Sequence, residues 1–290
     1  MVLLLQHTIF IIISLICWYS LSSLQRVTKL PTSVVPHVSQ SLSIPNRLVF
    51  TYRYNFFDEP IRLEGKQTDN FKATYNNVFN TIRLYNSSFH GNAEVVFLDN
   101  QRCRRIIDET YPRLTRYFDI ERGKFKSDIC RISELYLRGG YYFDVDLEAL
   151  IPFKIPSDVT FATVQTEQSG IFFQAFLAST PGNAILMKAM DVMLEYYESK
   201  SIAPDDLCLM GPKTLTVAFL NLTDYEKGKF ILLSEVNLES TNHSHNVKLR
   251  SGAGGACNYV VCDPKQCNKT LYFYSRFVGA SRYCYKVGEK

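Results

Sequence analysis

The most constraining stretch of this sequence joins a helical pattern, a glycine pair and an apolar strand that ends in two carboxylates. In KFKSDICRISELYLRGG (124–140), apolar side chains recur every three or four residues, and this spacing predicts an amphipathic helix that ends at Gly139 and Gly140. The run YYFDVD that follows predicts a short buried strand. Because side chains alternate along a strand, Asp144 and Asp146 would lie on one face of it. A helix that feeds directly into a buried strand favours an α/β sheet.

The rest of the chain repeats this alternation of apolar runs and helical patterns. Apolar runs predict strands at 47–52, 93–100 and 158–164. Helical spacing predicts helices over 69–85 and 183–200, a short helix that stops before Pro112, and a helix that begins after Gly211 and Pro212. Strands that alternate with helices predict an α/β fold with a central, mostly parallel sheet covered on both faces.

Residues 1–24 are apolar over roughly 20 positions, which is about the length that spans a hydrocarbon core. They form a transmembrane signal anchor or a cleaved signal peptide, and a buried soluble helix is a third alternative. No Lys or Arg precedes the segment while Arg26 and Lys29 follow it, which is not the usual charge bias for an anchor with a cytoplasmic N-terminus, and SLSS offers small residues for cleavage. Residues 25–43 are polar and contain Pro and Ser, which indicates a stem. We expect a main domain at 44–250 and a Cys-rich extension at 251–290 packed on it. The anchor would give a type II protein of the Golgi or ER membrane with a lumenal main domain; cleavage would give a secreted protein.

The cysteines agree with an oxidising, secretory compartment. Seven of the eight lie beyond the apolar segment, at Cys103, Cys130, Cys208, Cys257, Cys262, Cys267 and Cys284. The last four predict a disulfide-stapled C-terminus. A zinc site is the alternative, although the spacings are not CxxC and no His lies among them. Because seven is odd, at least one cysteine is free or pairs with another chain. N-x-S/T sequons also favour the secretory route, at Asn86, Asn221, Asn242 and Asn268.

Charge excludes one class of partner. The formal net charge is +4 over 290 residues, no Lys/Arg block stands out, and acidic residues are interspersed throughout. Nucleic acid is therefore not expected as a partner. A weakly basic surface would tolerate an anionic small-molecule substrate.

Asp144 and Asp146 would place two negative charges close together, so a compensating group is expected nearby. Two carboxylates on one face repel each other unless a cation lies between them or one of them stays protonated. Open α/β sheets bind ligands at the carboxyl ends of their strands. Oxygen ligands there suit Mn²⁺ or Mg²⁺, which keeps positions open for the phosphate oxygens of a substrate. An isolated DxD pair is equally consistent with an ordinary acidic turn.

Two residues of the preceding helix add specificity. Asp128 and Arg131 are three residues apart and share a helix face, and Ser127 or Asp128 is expected to cap the helix. Asp128 could accept hydrogen bonds from hydroxyl groups, and Arg131 could bind Asp128 or a substrate oxygen. The alternative is a local helix ion pair on a solvated face.

Together these residues form an ordered set, Lys126-Ser127-Asp128-x-x-Arg131 and then Leu135-Tyr136-x-x-Gly139-Gly140-x-Tyr142-x-Asp144-x-Asp146. The set resembles the sugar-binding DxD region of glycosyltransferase family 32. Weaker similarity extends over roughly residues 44–220, through IPNRLVFTY (44–52), FFQAFLASTPGN (172–183) and MGPKTLT (210–216).

The resemblance implies a GT-A-type nucleotide-sugar-binding fold. It also implies a retaining, metal-dependent transfer of a hexose from a UDP- or GDP-sugar to a glycan, glycolipid or lipid-linked acceptor. Asp146 would bind Mn²⁺ or Mg²⁺ together with the donor diphosphate, and Asp144 would contact ribose or sugar hydroxyls and the water shell of the metal. These two are the candidate catalytic and metal-binding residues.

The resemblance assigns substrate-binding roles to eight further residues, namely Asp128, Arg131, Thr51, Tyr52, Gly140, Tyr142, Gln174 and Gly211. Among them, Asp128 and Arg131 would bind the donor hexose, whereas Thr51 and Tyr52 would line the nucleotide pocket.

The chain also departs from the family pattern. The family's His-Gln-Thr-Trp strand end is replaced by Val-Phe-Thr-Tyr at 49–52, Gln174 stands where the family has Asn, and the only Trp is Trp18. A third metal ligand is unassigned, with Asn237, His243 and His245 as candidates within what is otherwise a polar loop sequence. Two alternatives stay open: an inactive glycan- or nucleotide-sugar-binding protein of the same fold, and a metal-dependent phosphatase or nucleotidyltransferase.

Overall fold

The computed structural model describes residues 43–52, 55, 57, 67–121, 123–166, 171–199, 210–227, 229–237, 259–265, 267 and 270–274. The predicted membrane segment, nearly all of the predicted stem, and His243 and His245 lie outside these ranges. Within the described ranges, no helix is both long enough and apolar enough to cross a membrane.

Nine strands of the described chain form one sheet in the order β2-β1-β3-β6-β5-β7-β8-β9-β4. They are β1 (Arg47–Thr51), β2 (Glu94–Leu98), β3 (Gly140–Phe143), β4 (Glu148–Ala149), β5 (Phe161–Gln165), β6 (Phe172–Ser179), β7 (Phe230–Asn237), β8 (Tyr259–Cys262) and β9 (Leu271–Tyr274).

The helices fall between the strands, as the sequence pattern predicts. They are α1 (Gln67–Ser88), α2 (Asn100–Thr110), α3 (Thr115–Ile120), α4 (Gly123–Arg138), α5 (Ala184–Ser199), α6 (Met210–Leu220) and α7 (Asp224–Lys227), with a 3₁₀ turn at Pro112–Leu114. The mixed α/β class is therefore confirmed.

The expectation of a mostly parallel sheet is wrong. Among the described strands, β1 pairs in parallel with β2 and with β3, and β5 with β7, whereas five other pairings are antiparallel. The link from β5 to β6 is too short for a crossover helix, which a parallel pair needs, so these two strands form a hairpin. The longest run of parallel neighbours is the β2-β1-β3 group, and β5 and β7 form a separate parallel pair.

The sheet is buried on both faces, as expected. On one face, Leu48, Phe50 and Phe143 pack against α1 through Val78 and Tyr85, and all five side chains are buried.

On the opposite face, Val49 and Tyr142 belong to a second cluster with α2, α4, α5 and α6, which includes Ile107, Ile132 and Leu186. The alternation of side chains along β1 and β3 thus assigns every second residue to a different core.

The glycine pair ends α4 and allows the chain to enter β3 at close quarters. Gly139 and Gly140 have φ of +67° and +117°, which favour glycine. A Cβ at Gly140 would lie 2.8 Å from the backbone oxygen of Arg47, and one at Gly139 would lie 2.7 Å from that of Ser179. The helix begins at Gly123, earlier than expected, so Ser127 and Asp128 lie in its second turn and do not cap it.

Two disulfides lie within the described chain. Cys262 pairs with Cys267, in keeping with the predicted stapling of the C-terminal region, and Cys103 pairs with Cys130 to join α2 to α4. Cys208, Cys257 and Cys284 lie outside the described residues.

Candidate active site

An open cleft of about 490 Å³ lies where β1, β2 and β3 reach their carboxyl ends. Parallel neighbours end at the same edge of a sheet, and this edge is the usual ligand site of α/β folds. Five of the predicted site residues line the cleft, namely Thr51, Tyr52, Arg131, Asp144 and Asp146.

The two acids occupy a turn rather than a strand face. β3 ends at Phe143, after which the Asp144 N–H donates to the backbone oxygen of Ala175 at 2.8 Å. The Leu147 N–H then donates back to the Asp144 oxygen at 3.0 Å, which closes a tight turn. The predicted alternation within a strand is therefore wrong for Asp146, although both carboxylates still line the cleft.

Arg131 is the cation that the protein itself supplies to these acids. Its Nη2 lies 3.2 Å from Oδ1 of Asp144 and 3.4 Å from Oδ1 of Asp128, so the three residues form one ion network. Nη1 donates to the backbone oxygen of Gln174 at 2.7 Å, and the guanidinium stacks 4.6 Å from the ring centre of Tyr142. Because four groups hold the guanidinium, its position is fixed before any ligand arrives.

The hydroxyl groups of Thr51, Ser127 and Tyr142 form a hydrogen-bonded cluster that ends on Asp144. The Tyr142 hydroxyl donates to Oδ1 of Asp144 at 2.5 Å and lies 2.8 Å from the hydroxyl oxygen of Thr51. The hydroxyls of Thr51 and Ser127 are 2.5 Å apart. Tyr142 is completely buried, and burial raises its pKa, so it stays a neutral donor. The structure thus gives Tyr142 a supporting position behind Asp144 rather than a place on the cleft surface.

Asp146 differs from Asp144 in its electrostatic partners. It is half-buried and forms no ion pair with the described residues. Burial, and then the negative charge of Asp144, raise the pKa of Asp146 to about 7. A carboxyl group in this state can either keep a proton or release it to bind a metal cation.

Asp128, Gln174 and Gly211 form a tight corner behind the cleft wall. Gln174 Nε2 donates to the Gly211 oxygen at 2.5 Å. A Cβ on Gly211 would lie 2.6 Å from both Asp128 Oδ2 and Gln174 Oε1, so only glycine fits. Asp128 and Gln174 are 8% and 3% exposed, and burial raises the pKa of Asp128 to about 6 even though Arg131 lowers it.

Gly140 is the one predicted substrate-binding residue that the structure puts at the other edge of the sheet. It begins β3, whereas the cleft lies beyond the residue that ends this strand. Three residues at about 3.3 Å each separate the two ends by roughly 10 Å. Its close approach to Arg47 explains the glycine without any substrate.

Several residues of the cleft were not predicted. Asn100 begins α2, and Lys124, Lys126 and Ser127 lie in the first turns of α4. A positional signal was available for Asn100, because α2 begins just after β2 ends at the carboxyl edge of the sheet, so its first turn faces the ligand site. No such signal existed for the residues of α4, which follows α3 rather than a strand.

The acids fit a cation that takes most of its ligands from substrate and water. Among the described residues, no group of three or more His, Cys, Asp or Glu side chains is placed to hold a metal. Asp146 and the second oxygen of Asp144 offer hard oxygen ligands, which is the minimal protein set that Mg²⁺ and similar cations use when phosphates complete the shell. Asn237 ends β7, and the candidates His243 and His245 are outside the described ranges.

No protein-family model matches the chain, and no curated protein matches it. Among solved structures, it is similar to the PaToxG glycosyltransferase, at 18% identity over 61% of this chain and 69% of that one, with a TM-score of 0.40. It is also similar to a glycosyltransferase involved in the glycosylation of the major capsid of PBCV-1, at 12% identity over 65% and 81%, with a TM-score of 0.30. The UDP-bound glycosyltransferase domain from the YGT toxin matches at 14% identity over 55% and 47%, with a TM-score of 0.27. Likeness at this level is partial, so the function is argued from the cleft itself.

Proposed function

We propose that the protein is a retaining, metal-dependent glycosyltransferase that moves a hexose from a UDP- or GDP-sugar to a glycan or lipid-linked acceptor in the lumen of the ER or Golgi. The observation that carries the proposal is a cleft lined by Asp144 and Asp146 together with Lys124 and Lys126, in which Asp146 forms no ion pair with the described residues. Glycosyltransferase family 32 is the family that the sequence resembles, and this assignment stays a prediction.

The charges of the cleft suit a metal-bound diphosphate. Lys124 and Lys126 line it from the first turn of α4, and Arg131 lines it one to two turns later. Phosphate oxygens are stabilised by such cations and by the N-terminal end of a helix. A cleft lined by two acids and two lysines would offer ligands to a divalent cation and positive charges to phosphate oxygens.

The residues of the chain can be assigned steps in the transfer. Asp144 and Asp146 would hold a divalent cation, which acts as a Lewis acid that stabilises the charge developing on the diphosphate. Arg131 and Tyr142 keep the Asp144 carboxylate oriented, Lys124 and Lys126 neutralise phosphate oxygens, and Tyr52 offers a ring on which a nucleobase can stack.

Bond making and bond breaking occur at the anomeric carbon of the donor. The bond from this carbon to the phosphate oxygen breaks, and its electron pair leaves with the diphosphate. An acceptor hydroxyl attacks from the same face, which gives retention, and its proton passes to a phosphate oxygen. The chain then needs no dedicated general base, and we assign none.

The test is release of nucleoside diphosphate from a panel of UDP- and GDP-sugars in Mn²⁺, with and without candidate acceptors. We expect one donor to be turned over and Asp146→Asn to lower the rate by at least about 100-fold, because an amide cannot replace a charged metal ligand. Asp158→Asn is the matched control, since Asp158 is an exposed acid preceding β5. It should leave the rate unchanged.

The outcomes separate the alternatives. Release of UDP or GDP from no donor, with retained binding of a nucleotide sugar, would favour the inactive binding protein. Hydrolysis of simple phosphate esters instead would favour the phosphatase. Full activity of Asp146→Asn would refute the metal assignment.

A further inference from the structure

The turn between α6 and α7 carries one of the four sequons, Asn221-Leu222-Thr223, and the structure allows it to be compared with one other. Asn86 also lies within the described chain, whereas Asn242 and Asn268 do not. A sequon becomes a modification site only if the folded chain leaves room for a bulky, solvated sugar at the amide nitrogen.

Asn221 meets that condition. Its residue is exposed, and its hydrogen bonds to described residues all involve the backbone. The N–H donates to the oxygens of Val217 and Ala218 at 3.2 Å, and the carbonyl accepts from Lys188 Nζ at 2.8 Å. The backbone is thus fixed while the side-chain amide makes no hydrogen bond within the described chain, so a sugar there would displace nothing.

The neighbours of Asn221 keep its side chain turned outward. Leu222 is 5% exposed and belongs to the core cluster that α2, α4, α5 and α6 form on one face of the sheet. Thr223 then caps α7, because its N–H and its hydroxyl both donate to Glu226 Oε2 at 2.8 Å while Glu226 N–H donates back to the Thr223 hydroxyl. With the residue on one side buried and the next one capping a helix, Asn221 is held on the outside of a rigid turn.

Asn86 differs from Asn221 both in its exposure and in the hydrogen bonding of its side chain. It lies in the last turns of α1, is half-buried, and its side-chain oxygen accepts the Ala93 N–H at 3.2 Å. The amide is therefore part of the connection from α1 to β2.

The position of Asn221 is also compatible with an open cleft. Gly211, in the first turn of α6, lies against Asp128, and α6 ends at Leu220, so Asn221 follows the far end of the helix. The ten residue steps from Gly211 to Asn221, at about 1.5 Å each, give a separation of roughly 15 Å along the axis. Leu220 is 60% exposed beside the amide, and a glycan core there would cover this apolar side chain.

We propose that Asn221 carries an N-linked oligosaccharide. The Asn221 side-chain nitrogen forms a bond to C1 of the first sugar of a lipid-linked oligosaccharide, and the bond from that carbon to the lipid diphosphate breaks. The diphosphate leaves with the bonding electrons, and the proton that the amide nitrogen loses is taken up by the departing diphosphate. The modification is independent of the proposed sugar transfer by this protein and depends on the chain entering the secretory route.

The test uses the full chain made in eukaryotic cells with a working secretory pathway. In a variant that keeps only this sequon, Asn86→Gln/Asn242→Gln/Asn268→Gln, an amidase that removes N-linked glycans should change the mobility by a single step and leave Asp at position 221 in the peptide mass spectrum. Adding Asn221→Gln should abolish both changes.

The third position of the sequon supplies a matched pair of variants. Thr223→Ser keeps a hydroxyl for both the sequon and the cap and should stay modified, whereas Thr223→Ala should lose the glycan. The proposal is overturned if the variant that keeps only Asn221 shows no mobility step and no Asp at 221. It is equally overturned if the step survives Asn221→Gln.

Discussion

Asp128 lies in the second turn of α4 with 8% of its surface exposed. Burial disfavours its charged form by more than Arg131 favours it, so its pKa is raised from 3.8 to about 6. Between pH 3.8 and about 6, Asp128 is therefore more often protonated in the native protein than in the unfolded chain. The stabilisation that Asp128 contributes is therefore complete below about pH 4 and is lost as pH rises through about 6.

Asp128→Asn should remove this pH dependence. The shift from 3.8 to about 6 corresponds to roughly 3 kcal/mol, so the unfolding free energy of wild type should fall by up to that amount, relative to the variant, between pH 4 and pH 7.5. Chelated protein unfolded in urea at several pH values would measure the difference. Asp158→Asn, an exposed acid, serves as the control. A gap between Asp128→Asn and wild type that stays constant over this range would contradict the assignment.

At the scale of single residues, the sequence predicted which neighbouring side chains interact better than it predicted where each residue lies in the fold. Helical spacing was enough to bring Asp128 and Arg131 together, since it is a local property. It could not show that β3 ends at Phe143, because that end is set by pairing with β6, a strand more than 25 residues away. The close approach of Gly140 to Arg47 likewise depends on strand pairing and could not be read from the local sequence.

At the scale of elements, the Cys103–Cys130 disulfide fastens α2 to α4 beside the cleft. Cys103 lines the cleft wall, and Cys130 directly precedes Arg131. The disulfide therefore fixes the position of α4, which carries Arg131, relative to α2, which lines the cleft through Cys103.

We expect Cys103→Ala/Cys130→Ala to lower the unfolding free energy by about 3–4 kcal/mol, given the loop that the pair closes, and to raise the donor KM by about tenfold. Calorimetry and donor kinetics well below the unfolding temperature would separate the two effects. Cys262→Ala/Cys267→Ala, which opens a far shorter loop, is the control and should leave KM unchanged. A destabilised protein with wild-type KM would mean that the first disulfide only stabilises the fold.

The elements that the sequence did not predict share one physical cause. The strands β6, β7, β8 and β9 are short apolar runs, and such runs are consistent with either a strand or a buried helix segment until their partners are known. The partner of β4 is β9, and Glu148 pairs with Tyr274. A sequence pattern read over about a dozen residues cannot indicate that a strand at residue 148 pairs with a strand at residue 274.

At the scale of the whole molecule, a strand near the C-terminus holds the turn that carries Asp144 and Asp146, which we call the acid turn. The turn at Asp144–Leu147 lies between β3 and β4, and among the described strands β4 pairs with β9 alone. On β9, Phe273 is completely buried, with its ring centre 6.0 Å from that of Phe143 and 4.9 Å from that of Phe176. Residues beyond 250 thus contribute to the same sheet and the same core as the cleft, while the boundary at 250 itself stays a prediction.

Phe273→Ala should therefore destabilise the entire molecule rather than a C-terminal piece of it. Truncation of a fully buried Phe costs about 3–5 kcal/mol, and we expect that loss in one cooperative transition. Denaturant unfolding followed by far-UV circular dichroism is the suitable measurement, because the only Trp, Trp18, precedes the sheet. Ile151→Ala, at a residue 42% exposed beside β4, is the control and should cost less than about 1 kcal/mol. Two separate transitions, with the Mn²⁺-dependent activity lost only in the second, would instead show that the C-terminal strands unfold without disturbing the acid turn.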